Sequence, residues 1–235
     1  MQLNLTKKPK GVTIIEGFPG FGLIGTITTE FLIDQLKAEL IGTIKFEDIP
    51  TMVAIHEGKV VNPIGVFYDK KTNIIIIHVI TSIANIEWKL ADAIMQIADQ
   101  LQAKEIIGLE GVAAPEETEE SKCFYFSNRE QIRGKFTSIK IDQLKEGIIV
   151  GVTGAMILSD HVPISCVFAE THSGLPDSKA AAAIIQVLDK YLGLNLDPKP
   201  LLEQAKKFEE KIQGIVEQGK EAKDMQMKKK LSYVG

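Results

Sequence analysis

The chain has 235 residues, with 27 basic and 31 acidic side chains, a formal charge of −4, and 45% hydrophobic against 25% charged residues. That length suits one large domain, or a domain with an appendage, whose core needs neither disulfides nor metal. The acidic balance argues against a general nucleic-acid binder, the two cysteines, Cys123 and Cys166, suit a reducing cytoplasm, and no apolar run is long enough for a signal sequence or a membrane span.

In chain order, Met1 to Lys10 is polar and lysine-bearing. The β-branched run Val12 to Glu16 reads as a strand, Gly17 to Gly22 as a tight turn, and Leu23 to Ala38 as a helix with apolar residues near helical spacing. Ile41 to Phe46 reads as a second strand. Met52 to His56, Val60 to Phe67 and Ile74 to Ile80 form a meander of three β-rich runs, the middle one interrupted by Pro63. Asn85 to Ala103 has a clear apolar face and predicts a helix, and Lys104 to Glu110 a strand. Glu116, Glu117, Glu119 and Glu120 mark an acidic loop. Gly147 to Val152 predicts a buried strand, Thr153 to Leu158 a short helix, and Val162 to Glu170 another strand. Asp177 or Ser178 caps an alanine-rich helix that ends at Gly193. Strands alternating with helices, several of the strands wholly apolar, predict a three-layer α/β sandwich over residues 1–197, with the meander making its sheet mixed.

Residues 198–235 differ in character. Leu201, Ala205, Phe208, Ile212 and Ile215 follow a coiled-coil spacing that decays further on. Residues 199–230 carry nine lysines and six acids, a net of +3, so the rest of the chain stands at −7. A helix packed on its own domain, with Leu201, Phe208, Ile212 and Ile215 inward, and a helix that pairs with another subunit through the same residues both fit this pattern.

Gly20-Phe-Gly22-Leu-Ile-Gly25 satisfies the dinucleotide fingerprint between a strand and a helix, and Glu47 or Asp48 stands where a ribose-binding acid would. Against that reading, Phe18, Pro19 and Phe21 crowd the turn, and the second strand leads into a meander instead of a crossover helix. A glycine turn that lets the helix pack closely on the sheet is the simpler account. No GK[ST] follows, which excludes a Walker-type loop. His56, His78, His161 and His172 show no pair at metal-ligand spacing. His78 sits in an apolar strand as a core histidine would. Ser159-Asp160-His161 holds triad residue types whose adjacency points them apart. Glu170, His172 and Asp177 could line an acid–base rim.

The run Gly17-Phe-Pro-Gly-Phe-Gly-Leu-Ile-Gly25 after an N-terminal strand resembles the PAC2 (proteasome assembly chaperone 2) family. So do Ile49-Pro50, Ile106 to Gly111, Gly147 to Gly154, and the Glu170 loop followed by Asp177 to Ala183, a likeness over about residues 10–215. The resemblance implies a phosphorylase-like three-layer fold without established catalysis or cofactor. It also implies an archaeal-type, ATP-independent chaperone that is cytoplasmic, homo-oligomeric, and bound to the α subunits or α-ring of the 20S proteasome. Some such chaperones end in a hydrophobic-Tyr-any tripeptide that enters pockets between α subunits, by carboxylate capture and burial of the tyrosine ring.

This chain ends Leu231-Ser-Tyr233-Val234-Gly235, so Tyr233 is third from the end and not penultimate. The shift moves the carboxylate by up to ~3.5 Å relative to the ring. Leu231, Tyr233, Val234 and Gly235 form a candidate docking tail, with a frayed terminus as the plain alternative. A nucleotide- or nucleoside-binding enzyme built on the Gly17–Gly25 turn, and a self-assembling structural oligomer, are the other two readings.

Overall fold

The computed structural model describes residues 1–47, 53–56, 58–114, 121–159, 161–172, 174–203, 205–207, 209–210 and 212–217. The central apolar runs pair into one sheet, in which each has a strand on either side to satisfy its backbone. The strands are β1 (Gln2–Leu5), β2 (Thr13–Gly17), β3 (Glu39–Lys45), β4 (Ala54–His56), β5 (Lys59–Val61), β6 (Ile64–Asp69), β7 (Ile74–Val79), β8 (Glu105–Ala113), β9 (Cys123–Ser127), β10 (Asp142–Gln143) and β11 (Ile164–Thr171). The helices are α1 (Ile24–Leu36), α2 (Glu87–Leu101), α3 (Glu130–Ser138), α4 (Gly151–Ile157), α5 (Ser178–Leu192) and α6 (Lys199–Glu203).

Nine strands form a sheet in the order β1-β3-β6-β7-β2-β8-β11-β9-β10. The four at its centre, β7, β2, β8 and β11, run parallel, while β6, β3 and β1 on one flank pair antiparallel and β9 on the other pairs antiparallel to β11. Pro63 divides the middle run of the meander: β6 joins the sheet, and β5 pairs with β4 in a separate two-stranded hairpin.

Both faces of the central strands are buried, which is why these strands are apolar throughout. One face carries Ile14, Ile75, Ile77 and Ile106 against α2 and α4, through Leu90, Ile94, Ile97 and Met156. The other carries Ile15, Ile76, Ile107 and Val167 against α1 and α5, through Ile27, Phe31, Ile184 and Leu188. This is the three-layer α/β arrangement with a mixed sheet that the alternation of elements predicts. At the lower end of β8, the buried Glu105 accepts hydrogen bonds from Ser165 Oγ and Tyr191 Oη. There Phe136 lies stacked between Tyr125 and Tyr191, tying α3 and α5 to the sheet.

The predicted strand Gly147–Val152 is not one. Residues 147–150 form an unpaired loop, with Ile148 94% and Val150 76% exposed, and α4 begins at Gly151. β9 occupies the free side of β11, and β10 pairs with β9, so other strands complete the sheet on that flank. The polar N-terminus supplies an unforeseen edge strand, β1, paired with β3. Beyond α6, residues 205–207, 209–210 and 212–217 are helical. Leu201 and Ile212 are buried in the α1/α5 core and Ile215 is half-buried. The side chain of Phe208 lies outside the described residues.

Candidate functional site

α1, which follows β2, lies on one face of the sheet, and α2, which follows the neighbouring β7, lies on the other. The chain therefore leaves these strands in opposite directions and opens a crevice at their carboxyl ends, the usual place for a ligand in an open α/β sheet. The crevice has a volume of about 460 Å³. The glycine turn after β2, Ser82 to Ala84 and Glu87 after β7, Glu110 and Gly111 of β8, and Gly174 to Pro176 after β11 line it, closed on one side by Val150 to Val152 and by Gln213, Val216 and Glu217.

Close packing shapes the turn. A Cβ on Gly17 would lie 2.1 Å from the carbonyl oxygen of Gly25, and one on Gly25 would lie 2.6 Å from that of Leu109, so the first turn of α1 rests directly on β2 and β8. Phe18 is buried in the α2-side core, Pro19 is half-buried, and Gly20 and Phe21 are exposed. Gly22 has φ +67°, which favours glycine, and its carbonyl accepts the amide of Asp177 at 3.0 Å.

Below the turn lies a group of side chains that the sequence analysis did not single out. Glu16 on β2, Glu110 on β8 and Thr153 on α4 meet, though Thr153 is 137 residues from Glu16. The Thr153 hydroxyl lies 2.6 Å from Glu110 Oε1 and 3.2 Å from Glu16 Oε1. It has one proton to donate and two carboxyl groups to serve. Glu16 is fully buried and its Oε2 has no hydrogen-bond partner. Burial, and then the nearby Glu110, raise the Glu16 carboxyl well above its ordinary range, against the hydrogen bond from Thr153. Burial pushes Glu110 up to about 7, again opposed by Thr153. Cys166, also buried here, has its thiol raised by burial first and then by both carboxylates. Glycine makes the room: a Cβ at Gly108 would lie 2.5 Å from Glu16 Oε1, and one at Gly20 3.2 Å from Glu110 Oε2. The only trace of this cluster in the sequence is that each acid follows an apolar strand run.

These carboxyls bear on the dinucleotide reading. Among the described residues lining the crevice, Glu87, Glu110 and Glu217 are acidic and none is lysine, arginine or histidine. A phosphate approaching Gly20 would meet Glu110, so the fingerprint glycines serve packing and the field there repels anions.

The other sequence-level candidates separate. His78 is buried, with Nδ1 2.8 Å from Thr29 Oγ1 and Nε2 3.0 Å from Glu30 Oε2. Asp177 caps α5, accepting from the Ala180 amide at 2.9 Å and from the Thr171 hydroxyl at 2.6 Å, so it is occupied and does not face Glu170 as an acid–base partner. Asp160, the acidic loop, Asp48 to Met52 and the tail with Leu231, Tyr233, Val234 and Gly235 lie outside the described residues. Around the mouth runs a band of exposed apolar side chains: Trp88, Ile148, Val150, Leu158 and Leu175. Val150 and Leu175 border the crevice, and Val150 shares an adjoining hollow with Trp88 and Leu158.

The glycine turn, the strand order and the two-faced core coincide with a known pattern. The sequence pattern of the PAC2 family matches residues 14–216.

This chain belongs to the PAC2 family.

The match crosses residue 197 and takes in the helical segment that packs on the second core. Among solved structures, the chain is similar to Pyrococcus furiosus PbaA, an archaeal homologue of proteasome-assembly chaperone. The TM-score is 0.85 and the identity 29%, covering 94% of this chain and 99% of that one. Pyrococcus furiosus PbaB, an archaeal proteasome activator, shares the fold at a TM-score of 0.74 and 23% identity, over 91% of this chain and 98% of its own. An uncharacterised protein of Methanocaldococcus jannaschii is 26% identical over 208 residues, which is 87% of this chain and 85% of that one. No described helix is long and apolar enough to cross a membrane.

Proposed function

We propose that this PAC2 protein is a non-enzymatic chaperone or adaptor that binds 20S proteasome α subunits, free or in the α-ring, without ATP. The observation that carries the reading is the likeness to PbaA, a homologue of proteasome-assembly chaperone, along almost the whole of both chains. The exposed apolar band supports it, because a contiguous patch of this kind beside a rigid core favours a protein contact over contact with water. The acid-lined crevice supports independence from ATP, since it disfavours a triphosphate.

In this reading the α/β body covers an α-ring surface and assembles with copies of itself in the cytoplasm. Leu231, Tyr233, Val234 and the Gly235 carboxylate anchor the tail between α subunits. Purified full-length protein should retain 20S proteasomes or α-rings in a pull-down, and deletion of residues 231–235 should weaken that retention. Undiminished binding after the deletion removes the tail from the mechanism. Failure to bind α subunits in either state overturns the function.

A further inference from the structure

The crevice has a chemistry that chaperone function does not call for. Glu110 projects between two hollows. One is bordered by Glu87 and Glu217, the other by Glu146 and Glu170, and no lysine, arginine or histidine lines either among the described residues. Behind Glu110 lies Glu16, wholly buried, with Oε2 unpartnered. One hydroxyl, Thr153, serves both carboxyls. A folded protein seldom leaves a buried acceptor unsatisfied or gathers acids without a counter-charge, because each costs stability. Among the described residues the site is short of positive charge. The walls are apolar: Phe18, Phe21, Leu23, Val152 and Leu175.

We propose that this crevice binds a primary aliphatic ammonium group, with the Glu110 carboxylate as its anchor and the acids at the two mouths adding to the negative field. An ammonium is compact, carries three donors and brings the missing charge. Its methylene chain lies along the phenylalanine and leucine walls, as lysine stems lie along apolar surface elsewhere. A hard metal ion fits less well, since it requires about six oxygen ligands and no three metal-binding side chains converge among the described residues. The same chemistry is offered by a free diamine and by a lysine side chain. A diamine can also reach a second carboxylate, Glu87, at the rim. Binding ionises Glu110 and sends its proton to the buffer. The groups facing Glu110 across that step are Glu16, Thr153 and Cys166 within, and Glu87, Glu146, Glu170 and Glu217 at the two mouths.

Calorimetric titration of the full-length protein near neutral pH tests this with aliphatic diamines of increasing length, a monoamine, and Nα-acetyl-lysine methylamide. The expected result is saturable 1:1 binding that peaks at one diamine length, with an observed heat that varies linearly with the ionisation heat of the buffer and a slope that counts the protons released. Glu110→Gln should weaken it about tenfold or more, and Glu87→Gln should lower the diamine to the affinity of the monoamine. Binding of the lysine amide as tight as the best diamine assigns the site to a protein lysine, and preference for the diamine assigns it to a free amine. Both support the proposal. Absence of saturable binding at millimolar ligand, an equal loss on Glu39→Gln at the exposed surface, or tighter binding of phosphate would overturn it. No proteasome subunit enters the measurement, so its outcome is independent of the chaperone reading.

Discussion

At the scale of single residues, Glu110 links the site to stability. Its carboxyl is raised from 4.5 to about 7, chiefly by burial. The folded state therefore holds a proton that the unfolded chain has released over that range. The sign follows: the fold is most favoured below pH 4.5 with respect to this group, and loses stability as pH rises through about 7. The full span is up to about 3 kcal/mol, at 1.36 kcal/mol per unit, with Glu16 adding a slope of the same sign. Glu110→Gln keeps an acceptor for Thr153 and cannot ionise. Urea unfolding from pH 4 to 8 should show its stability curve flatter than that of the wild type and higher at pH 8. A slope unchanged by the substitution would assign the pH dependence elsewhere. None of this was legible in the sequence. Glu16 and Glu110 are written there as two acids after apolar runs, and only strand pairing sets Glu16 opposite Gly108, two residues from Glu110 on the same face of β8.

At the scale of elements, α1 is held by the absence of side chains. Gly17 and Gly25 allow backbone-to-backbone contact between strand and helix, so Gly17→Ala should destabilise the protein by about 1–3 kcal/mol, since backbone on both sides leaves the new methyl nowhere to move. Gly134, in α3, has open space around its Cα, and Gly134→Ala should instead stabilise by up to about 1 kcal/mol from helix propensity. Opposite signs in chemical unfolding would show that contact, and not glycine content, governs the turn. The sequence revealed the turn, the three long helices and the Asp177 cap, because these are local matters of spacing and hydrogen bonding. It failed at residues 147–150, where a run that reads as a buried strand pairs with no other strand and lies largely exposed. A strand is a relation between segments, and that relation cannot be read from one of them.

At the scale of the whole molecule, the exposed Val150 and Leu158 bear on the proposed contact with other proteins. Val150→Asp with Leu158→Asp touches no core side chain, so the unfolding free energy should stay within about 0.5 kcal/mol of wild type. The same double variant should lose α-ring retention or self-association, read by pull-down and by mass in solution. Loss of neither would leave the band without a partner role.

The sequence by itself determined the layers: apolar runs long enough to be buried on both faces must form central strands, and amphipathic helices must cover them. It also determined the glycine turn and, through that motif, the family. Tertiary structure alone decided that Leu201 and Ile212 pack on the chain's own core, that the fingerprint glycines make close contacts beside carboxylates, and that Glu16, Thr153 and Glu110 share one hydroxyl. The physical reason is one of range. Periodicity and capping act over a few residues, whereas burial and electrostatics depend on which distant segments the sheet order places side by side.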